Sequence, residues 1–544
     1  MNNTKKTAGI LIAALMALGI LGGCSGNKTG GAAASTSSSG TTQGATAAND
    51  IGFHETGLPI VDTPVKLRAI TMRWGSMGNT FESNAFLQQL EQDSNVDIVW
   101  EVKSSSDWNE QKSLLFASRD MPDIAIGNQT FSTTDISNNR DYFIPLDDLI
   151  DKYMPNLKAA FAETPELRRA CTSPDGKIYS LPARLPARPI TRNMTIINKT
   201  WLDRLGLAEP QTLDDLYNVL KAFKEQDANG NGDPNDEIPY TDGYKVDFLT
   251  PFGILDCNET NLMVKDGKVV DIRAIPEYRD GIAYMARLYA DGLLDPEMFT
   301  QDDTMRNGKY QNPGVSRVGM SYQWTPDAVF GGWSSEYIAI APLIGPDGKR
   351  YAQGDPNGVW AISGNEMSIT TFCKNPEVAA RWADQFYTNE ATIQNFWGAI
   401  GTVIKANSDG TYELNNPPAG TGADAWYWDQ SLRDFGPGYA SPAFESKLKL
   451  NPESGDGFKL EIDKLTKEYV TTPFPRISYT VEELDELAIL SSDITSYMDR
   501  SRSKWITEGG ITAEWDAYMA QLNRMGLDRY LAIHEGAYKR YMGN

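Results

Sequence analysis

The sequence predicts an α/β fold organised around a mostly parallel sheet, and three observations support that prediction. Segments with a strand pattern alternate with segments with a helix pattern, which is typical of consecutive βαβ units. The chain has 544 residues, of which 41% are hydrophobic and 22% charged, so it can bury two or three sizeable cores. No internal repeat of solenoid period is visible, which argues against a repeat architecture.

The first strands and helices are predicted near the start of the globular part. Strands are predicted at residues 66–72, "KLRAITM", at 96–102, "VDIVWEV", and at 121–128, "MPDIAIGN". Helices are predicted between them, at 84–94 and 108–118. Because ligands bind at the carboxyl ends of parallel strands, we expect the loops after the first and third strands to border a cleft.

The N-terminal 50 residues are predicted to lie outside the globular part. Two lysines precede an apolar run at residues 8–23, which has the layout of a secretory signal peptide. The run ends in "LGGC", which resembles the lipobox of bacterial lipoproteins and makes Cys24 the lipid-bearing thiol; an ordinary signal peptide with a chance cysteine is the alternative. Residues 1–23 are then the signal peptide, and residues 24–50 are the lipidated cysteine and a flexible Gly/Ala/Ser/Thr tether.

Charge and composition exclude several classes of function. The net charge is -22, from 50 basic and 72 acidic residues, and such a surface repels the phosphates of nucleic acid. Only two histidines are present, which argues against histidine-based triads and zinc enzymes. Cys171, Cys257 and Cys373 are scattered and odd in number, so they are predicted to be core thiols rather than a disulfide framework.

Six segments share their order and spacing with one known family. They are "MPDIAIG", "IPLDDLIDKYMPNLKA", "DGKIYSLP", "TIINKTWLDRLGLAEPQTLDDLYNVLKAFKEQDANGNGDPNDEIP", "NPEVAARWADQFYTNE" and the tail "GGITAEWDAYMAQLNRMGLDRYLAIHEGAYKRY". Together they resemble extracellular solute-binding lipoproteins of ABC importers, and in particular the carbohydrate-binding subgroup that includes alginate-binding and maltose-type proteins. The resemblance covers residues 57–541.

The resemblance implies an α/β, two-lobed periplasmic-binding-protein-like fold of type II, with hinge-linked lobes and a ligand cleft between them. One lobe would comprise residues 51–187 and 336–405, and the other residues 188–335 and 406–544. The chain would be a monomer anchored by its lipid to the extracytoplasmic face of the cell membrane. It would capture an oligosaccharide and deliver it to the transmembrane permease subunits of an ABC transporter.

A dense group of oxygen donors in "DANGNGDPNDEIP" predicts a structural Ca²⁺ site. The spacing resembles an EF-hand loop with glycine at the sixth place, but isoleucine occupies the twelfth place, where the loop usually has glutamate. A solvated acidic turn and a catalytic carboxylate pair are the alternatives. The predicted metal ligands are Asp227, Asn229, Asn231, Asp233, Asp236 and Glu237.

Aromatic side chains are the main candidates for the sugar site, because their flat faces match the C–H faces of pyranose rings. The segment "SRVGMSYQWTPDAVF" resembles the strand and turn that present a stacking tryptophan in maltose-type proteins, and Trp324 is the residue carried over. Core packing or turn formation is the alternative for each other candidate. Those candidates are Trp74 and Asn79 in the loop after the first strand, Trp397, and the cluster Trp426, Tyr427 and Trp428.

Three arginines in "LPARLPARPITRN" suggest an acidic ligand. Arg184, Arg188 and Arg192 stand out in so acidic a chain, and guanidinium groups bind carboxylates such as those of uronic acids. By likeness to the family, this segment lies near the first crossing between lobes. Ion pairing with acidic residues of the protein is the alternative.

Two other functions share part of this pattern. A secreted glycoside hydrolase would also be rich in tryptophan, but no G-x-S-x-G, H-E-x-x-H or P-loop pattern is present, and the sequence predicts a protein that is not an enzyme. A sugar receptor that presents its ligand to a membrane sensor instead of a permease would have the same sequence signature.

Overall fold

The structure is a computed structural model that describes residues 51–73, 81, 84–242, 247–256, 260–355, 361–418, 423–452, 455–471 and 473–543. The predicted signal peptide 1–23, the predicted lipid-bearing Cys24 with the predicted tether 24–50, Trp74, Asn79 and Cys257 lie outside the described residues. No helix within the described ranges is long and apolar enough to span a membrane.

The fold contains two main sheets surrounded by helices. The strands are β1 (Val65–Arg73), β2 (Val96–Ser104), β3 (Ile124–Ile126), β4 (Leu181–Arg184), β5 (Met194–Asn198), β6 (Ile238–Tyr240), β7 (Leu262–Lys265), β8 (Lys268–Asp271), β9 (Val318–Gln323), β10 (Tyr337–Ala339), β11 (Ile362–Ile369), β12 (Ile404–Ala406), β13 (Tyr412–Leu414), β14 (Gly438–Tyr439) and β15 (Leu448–Lys449).

The helices are α1 (Ala85–Ser94), α2 (Trp108–Ser118), α3 (Thr133–Asn138), α4 (Asp147–Tyr153), α5 (Pro155–Glu163), α6 (Pro165–Cys171), α7 (Lys199–Leu205), α8 (Leu213–Glu225), α9 (Pro276–Ala290), α10 (Asp303–Tyr310), α11 (Pro326–Val329), α12 (Pro376–Asp384), α13 (Asn389–Trp397), α14 (Ala423–Gln430), α15 (Pro442–Glu445), α16 (Gly455–Thr466), α17 (Val481–Glu508), α18 (Ile511–Arg524) and α19 (Leu527–Met542). Short 3₁₀ helices cover Arg140–Tyr142, Asp247–Phe252, Ile272–Ala274, Pro296–Phe299, Gly331–Glu336 and Gln385–Tyr387.

The first sheet has the strand order β14-β4-β11-β3-β1-β2. Strand β1 is parallel to β2 and β3, which confirms the predicted βαβαβ unit at the start of the fold. Strand β11 is antiparallel to both β3 and β4, whereas β14 is parallel to β4, so the predicted mostly parallel sheet is confirmed with β11 as its one reversed strand. The unit forms because β1 is buried on both faces from Ala69 to Arg73, and because the side chain of Asn84 caps the first helix by accepting from the backbone N–H of Leu87.

The second sheet has the order β10-β5-β9-β6 and is antiparallel except for the β6–β9 pair. Its core joins α7–α9 to α17–α19, with Trp201, Phe223 and Tyr278 fully buried. Strand β10 lies in this sheet and β14 in the first, although the predicted boundaries assign each to the other lobe. The division into lobes stays a prediction.

The chain passes from the first sheet to the second through residues 185–193, here called the crossing segment. This segment bonds to a second passage, since the backbone N–H of Asp355 donates to the carbonyl of Ile190 (2.8 Å) and that of Arg192 to the carbonyl of Gln353 (2.7 Å). The backbone N–H of Ala352 donates in turn to the carbonyl of Tyr469 (3.1 Å). Three stretches of chain therefore meet at one place between the sheets.

Helix α16 holds the crossing segment with a buried polar face. The carboxylate of Asp463 accepts from the backbone N–H groups of Ile190 (2.8 Å) and Thr191 (2.9 Å). Lys459, fully buried, donates its ammonium to the carbonyl of Arg192. Burial lowers the pKa of Lys459 to about 7, so the position of this helix is fixed by polar groups at a cost in desolvation.

Candidate ligand cleft and metal loop

A cavity of about 1070 Å³ opens beside the crossing segment, and residues associated with both main sheets line it. From the first sheet come the turn after β3 and one end of β11, and from the second comes the residue that follows β9. The cavity has the size and mixed polar and apolar lining of a small-molecule site. The lining includes Asn128, Gln129, Arg188, Arg192, Asn193, Trp324, Asp355, Ser363, Asn365, Asp434, Phe435 and Arg476.

The structure places Trp324, the predicted stacking residue, in this cleft. It is half-buried and follows β9 directly, where Thr325 caps the short helix α11 by accepting from the backbone N–H of Ala328 (3.2 Å). The Lys459 ammonium lies 4.4 Å from the centroid of the Trp324 ring, within the distance of a cation–π contact. The Trp324 ring therefore contacts the Lys459 ammonium and also lines the cavity.

The three arginines of the crossing region have different surroundings. Arg188 lines the cleft and donates to Asp434 at 2.8 Å, and Arg192 also lines the cleft. Arg184 is not in the cavity lining, because its guanidinium donates to the Glu445 carboxylate at 2.7 Å and to the carbonyl of Ala440. The assignment of Arg184 to the ligand is corrected to an internal ion pair.

Three other predicted tryptophans also fall outside the cavity lining. Trp397 is 1% exposed, and its indole N–H donates to Asp456 at 2.9 Å. It lies at the end of α13 and packs in the core. Trp426 packs half-buried against the same core, together with Tyr427. Trp428 is buried under the Arg73 guanidinium, 5.1 Å from its ring. These candidates are therefore corrected to packing residues.

One buried polar residue next to the cleft lining was not predicted from the sequence. Glu366 lies in β11 with no exposed surface, and its carboxylate accepts from the side chain of Asn128 at 2.6 Å. Burial raises the pKa of Glu366 to about 7. Nothing in "AISGNEMSIT" marks this glutamate, because a single acidic residue in a strand is expected on the solvent face.

The predicted metal loop lies between α8 and β6, and its polar groups are turned inward. The backbone N–H of Gly232 donates to Asp227 (2.9 Å) and that of Asn229 to Glu237 (3.2 Å). The second oxygen of each carboxylate, Oδ1 of Asp227 and Oε2 of Glu237, is buried and makes no hydrogen bond. Burial also raises the pKa of Glu237. Two buried carboxylate oxygens without donors fit a site that a cation completes.

The remaining predicted ligands occupy the same loop in different ways. Asp236 accepts from the amide nitrogens of Asn229 (2.7 Å) and Asn231 (2.9 Å), which lie next to it in the loop. Asp233 is turned away and accepts from Asn235 (3.1 Å). Within the described part of the chain, no group of three or more His, Cys, Asp or Glu residues is positioned to hold a metal ion, so asparagine and backbone oxygens must supply part of any shell.

Comparison with known proteins identifies the family. Residues 74–393 match the bacterial extracellular solute-binding proteins. The chain belongs to this family. The fructooligosaccharide ABC transporter substrate-binding protein FusA of Streptococcus pneumoniae serotype 4 is 34% identical to this solute-binding protein over 482 residues, which are 84% of this chain and 87% of FusA. The polygalacturonan/rhamnogalacturonan-binding protein YtcQ of Bacillus subtilis is 25% identical over 362 residues, covering 62% of this chain and 68% of YtcQ.

Solved structures agree with the two-lobed α/β fold predicted from the sequence. FusA of S. pneumoniae in complex with kestose superposes with a TM-score of 0.76 at 32% identity, covering 88% of this chain and all of FusA. An EF-hand mutant of FusA superposes equally well, at 31% identity and a TM-score of 0.76, over 88% of this chain and 100% of that chain. Alginate-binding protein AlgQ2 without calcium ion shares the fold, with a TM-score of 0.70 at 24% identity over 88% of this chain and 98% of AlgQ2. FusA, YtcQ and AlgQ2 are each named as a binding protein, and this member of the solute-binding family is not an enzyme.

Proposed function

We propose that this solute-binding protein captures an oligosaccharide in the cleft beside the crossing segment and delivers it to the permease subunits of an ABC importer. The observation that supports this most is the position of Trp324, held at the end of β9 in a cavity of about 1070 Å³ lined from both sheets. A sugar ring can stack on the indole while the surrounding amides and charged groups bond its hydroxyls.

The first ligand to test is a short fructooligosaccharide, because FusA shares 34% identity with the chain. Calorimetric titration with kestose is expected to show binding by the wild-type protein and a loss of roughly tenfold or more for Trp324→Ala. Trp333→Ala is the control, because Trp333 is equally half-buried but donates its indole N–H to the carbonyl of Asn312, outside the cleft lining. Undiminished binding by Trp324→Ala would contradict the assignment of the cleft.

An acidic oligosaccharide is the second candidate ligand, and the charge of the cleft favours it. Four arginines line the cavity against two carboxylates. These are Arg169, Arg188, Arg192 and Arg476 against Asp355 and Asp434. In a chain with a net charge of -22, this local excess of positive charge suits a uronate. Titration with trigalacturonate in parallel with kestose distinguishes the two classes, because only acidic binding weakens steeply as salt rises.

We further propose that the loop 227–237 binds Ca²⁺ with a structural role. Asp227 and Glu237 would offer the oxygens that lack donors, and Asn229, Asn231 and Asp236 would complete the shell. Asp233 would contribute its backbone carbonyl, because its side chain bonds Asn235. Bound calcium would neutralise the clustered carboxylates and hold the end of α8 against β6.

Cys24 and the tether 24–50 lead us to propose a lipid-anchored protein on the extracytoplasmic side of the membrane. As a random coil, a tether of this length spans on the order of 30 Å, which keeps the binding domain close to a permease in the same membrane. We propose that the protein works there as a monomer, with the cleft between its own two main sheets as the binding site.

A further inference from the structure

Glu366 is a buried carboxylate at which two segments of the cleft wall meet. Its Oε1 oxygen accepts from the amide nitrogen of Asn128 (2.6 Å). Its Oε2 oxygen accepts from the backbone N–H of Asn128 (3.2 Å) and of Gly436 (3.1 Å). Asn128 follows β3 and Gly436 precedes β14, so one side chain holds together two stretches of chain that are distant in sequence.

The surroundings of Glu366 make its charge costly. The groups that donate to it, on Asn128, Gly436 and Ser363, are all neutral, and the nearest interacting charge, Asp434, is negative and raises its pKa further. Tyr387 also interacts with it and stays neutral, because burial raises the pKa of that phenol well above its usual value. The hydrogen bonds that Glu366 accepts offset this cost, because without them the backbone N–H groups of Asn128 and Gly436 would lose their acceptor.

The bonds to Glu366 decide which atom Asn128 presents. The amide nitrogen of Asn128 donates to the Glu366 carboxylate and to the hydroxyl of Ser363 (3.4 Å). The Oδ1 oxygen of Asn128 is therefore the remaining polar atom of this side chain. Asn365 is used in the same way, because its amide nitrogen donates to the carbonyls of Asn128 (3.2 Å) and Phe131 (2.9 Å). Both asparagines line the cleft. This part of the wall, here called the acceptor floor, therefore offers amide oxygens.

The two wall segments also pack tightly on each other. Gly127 has a φ of +94°, and a Cβ added there would lie 3.0 Å from the Cβ of Phe435, a residue of the cleft lining. The backbone N–H of Gly127 donates to the carbonyl of Glu366 at 2.7 Å. Glycine at this position therefore lets the Phe435 ring pack directly against the turn that carries Asn128.

We propose that Glu366 is a positioning residue for ligand binding: it orients Asn128 so that the acceptor floor receives hydroxyl groups of the oligosaccharide. This inference rests on the proposed function and makes it more specific. An amide oxygen accepts from a sugar hydroxyl and repels a carboxylate, so the floor binds an uncharged, hydroxyl-bearing part of the ligand.

The test exchanges donor and acceptor between the two residues. In Glu366→Gln, the glutamine oxygen can keep both backbone N–H donors, but its amide nitrogen then faces the nitrogen of Asn128 and forces that amide to turn. The floor would present a donor in place of an acceptor, and we expect kestose affinity to fall roughly tenfold. The double variant Glu366→Gln/Asn128→Asp restores an acceptor at the floor with the same total charge, and its affinity should return to near the wild-type value.

Two further variants complete the experiment. Glu377→Gln is the matched control, and this variant should bind as the wild type does. Glu377 is also buried, but it lies in α12, outside the cleft lining. Asn128→Ala removes the acceptor without changing Glu366 and should lose about as much affinity as Glu366→Gln. This variant decides the question if Glu366→Gln does not fold.

The results separate this inference from the proposed function. Titration of the wild-type protein with kestose and with trigalacturonate tests the proposed function. If neither sugar binds, the proposed function is contradicted. With binding established, wild-type affinity in Glu366→Gln or in Asn128→Ala would overturn the role of Glu366. So would a double variant that binds no better than Glu366→Gln, because the restored hydrogen bond between positions 366 and 128 would then fail to restore the affinity.

Discussion

Removal of calcium from the loop 227–237 is expected to lower the thermal stability of the protein. The physical reason is the pair of buried oxygens, Oδ1 of Asp227 and Oε2 of Glu237, that make no hydrogen bond without a cation. Glu237→Gln removes one of these charges. Because burial raises the pKa of Glu237, the protein without calcium should gain slightly from the substitution, while the protein with calcium should lose a ligand.

The size of the effect follows from binding to the folded state alone. A hundredfold excess of calcium over its Kd stabilises the folded protein by about 2.7 kcal/mol. The entropy of unfolding is about 2.1 cal/mol/K per residue, or roughly 1 kcal/mol/K for a globular part of about 500 residues. The melting temperature should therefore rise by roughly 3 °C if the globular part unfolds as one unit, and by more if the half that holds the loop unfolds separately.

Thermal unfolding followed by circular dichroism, with calcium or with a chelator, measures this difference. Glu209→Gln is the control, because Glu209 is exposed, lies outside the metal loop and carries the same charge. Wild type and Glu209→Gln should respond to calcium alike, and Glu237→Gln should respond far less. A melting curve of the wild type that is indifferent to both calcium and chelator would refute the reasoning, as would a full response by Glu237→Gln.

Three other predictions can be checked directly. Cys24→Ser should release the protein from the membrane fraction or leave it unprocessed; unchanged fractionation would exclude an anchor at that residue. Arg188→Ala should weaken trigalacturonate binding more than kestose binding, by roughly 1–3 kcal/mol in titrations at low salt, and equal losses would make its pair with Asp434 purely structural. Burial lowers the pKa of His534 to about 4, so its contribution to stability is complete above pH 6.5 and is lost as pH falls toward 4, by up to about 3 kcal/mol. Urea unfolding across that range should therefore show a shallower dependence on pH for His534→Phe than for the wild type.

The N-terminal half of the first sheet could be predicted because local pattern and tertiary structure agree there. The predicted strands at 66–72 and 96–102 correspond to β1 and β2, and the helix predicted at 108–118 is α2. The later strands could not be ordered from the sequence. Strand β14 has two residues and joins the first sheet only by pairing with β4, which no local pattern reveals.

The cleft was predicted where a motif carried the information and missed where burial decided the outcome. Trp324 follows a recognisable strand and turn, and it lines the cavity. Trp397 lies in an equally glycine-rich setting, but α13 turns it into the core beside Asp456. Arg184 and Arg188 look equivalent in sequence, yet only Arg188 lines the cleft. The guanidinium of Arg184 instead bonds Glu445, and a partner 261 positions away could not be identified from the sequence. Glu366 has no local signal, since its function depends on Asn128 and Gly436.

The hydrogen bonds between α16 and the crossing segment affect when the protein can fold during its synthesis. The bond from the backbone N–H of Ile190 to the Asp463 carboxylate joins residues 273 positions apart, and the pairing of β14 with β4 is also remote in sequence. Neither contact can form while the ribosome is still adding the intervening residues. The nascent chain must therefore emerge almost completely before the passage between the sheets is secured, and long-range closure of this kind is slow. During that interval the edge of β4 is uncovered, so the unfinished chain is open to incorrect strand pairing.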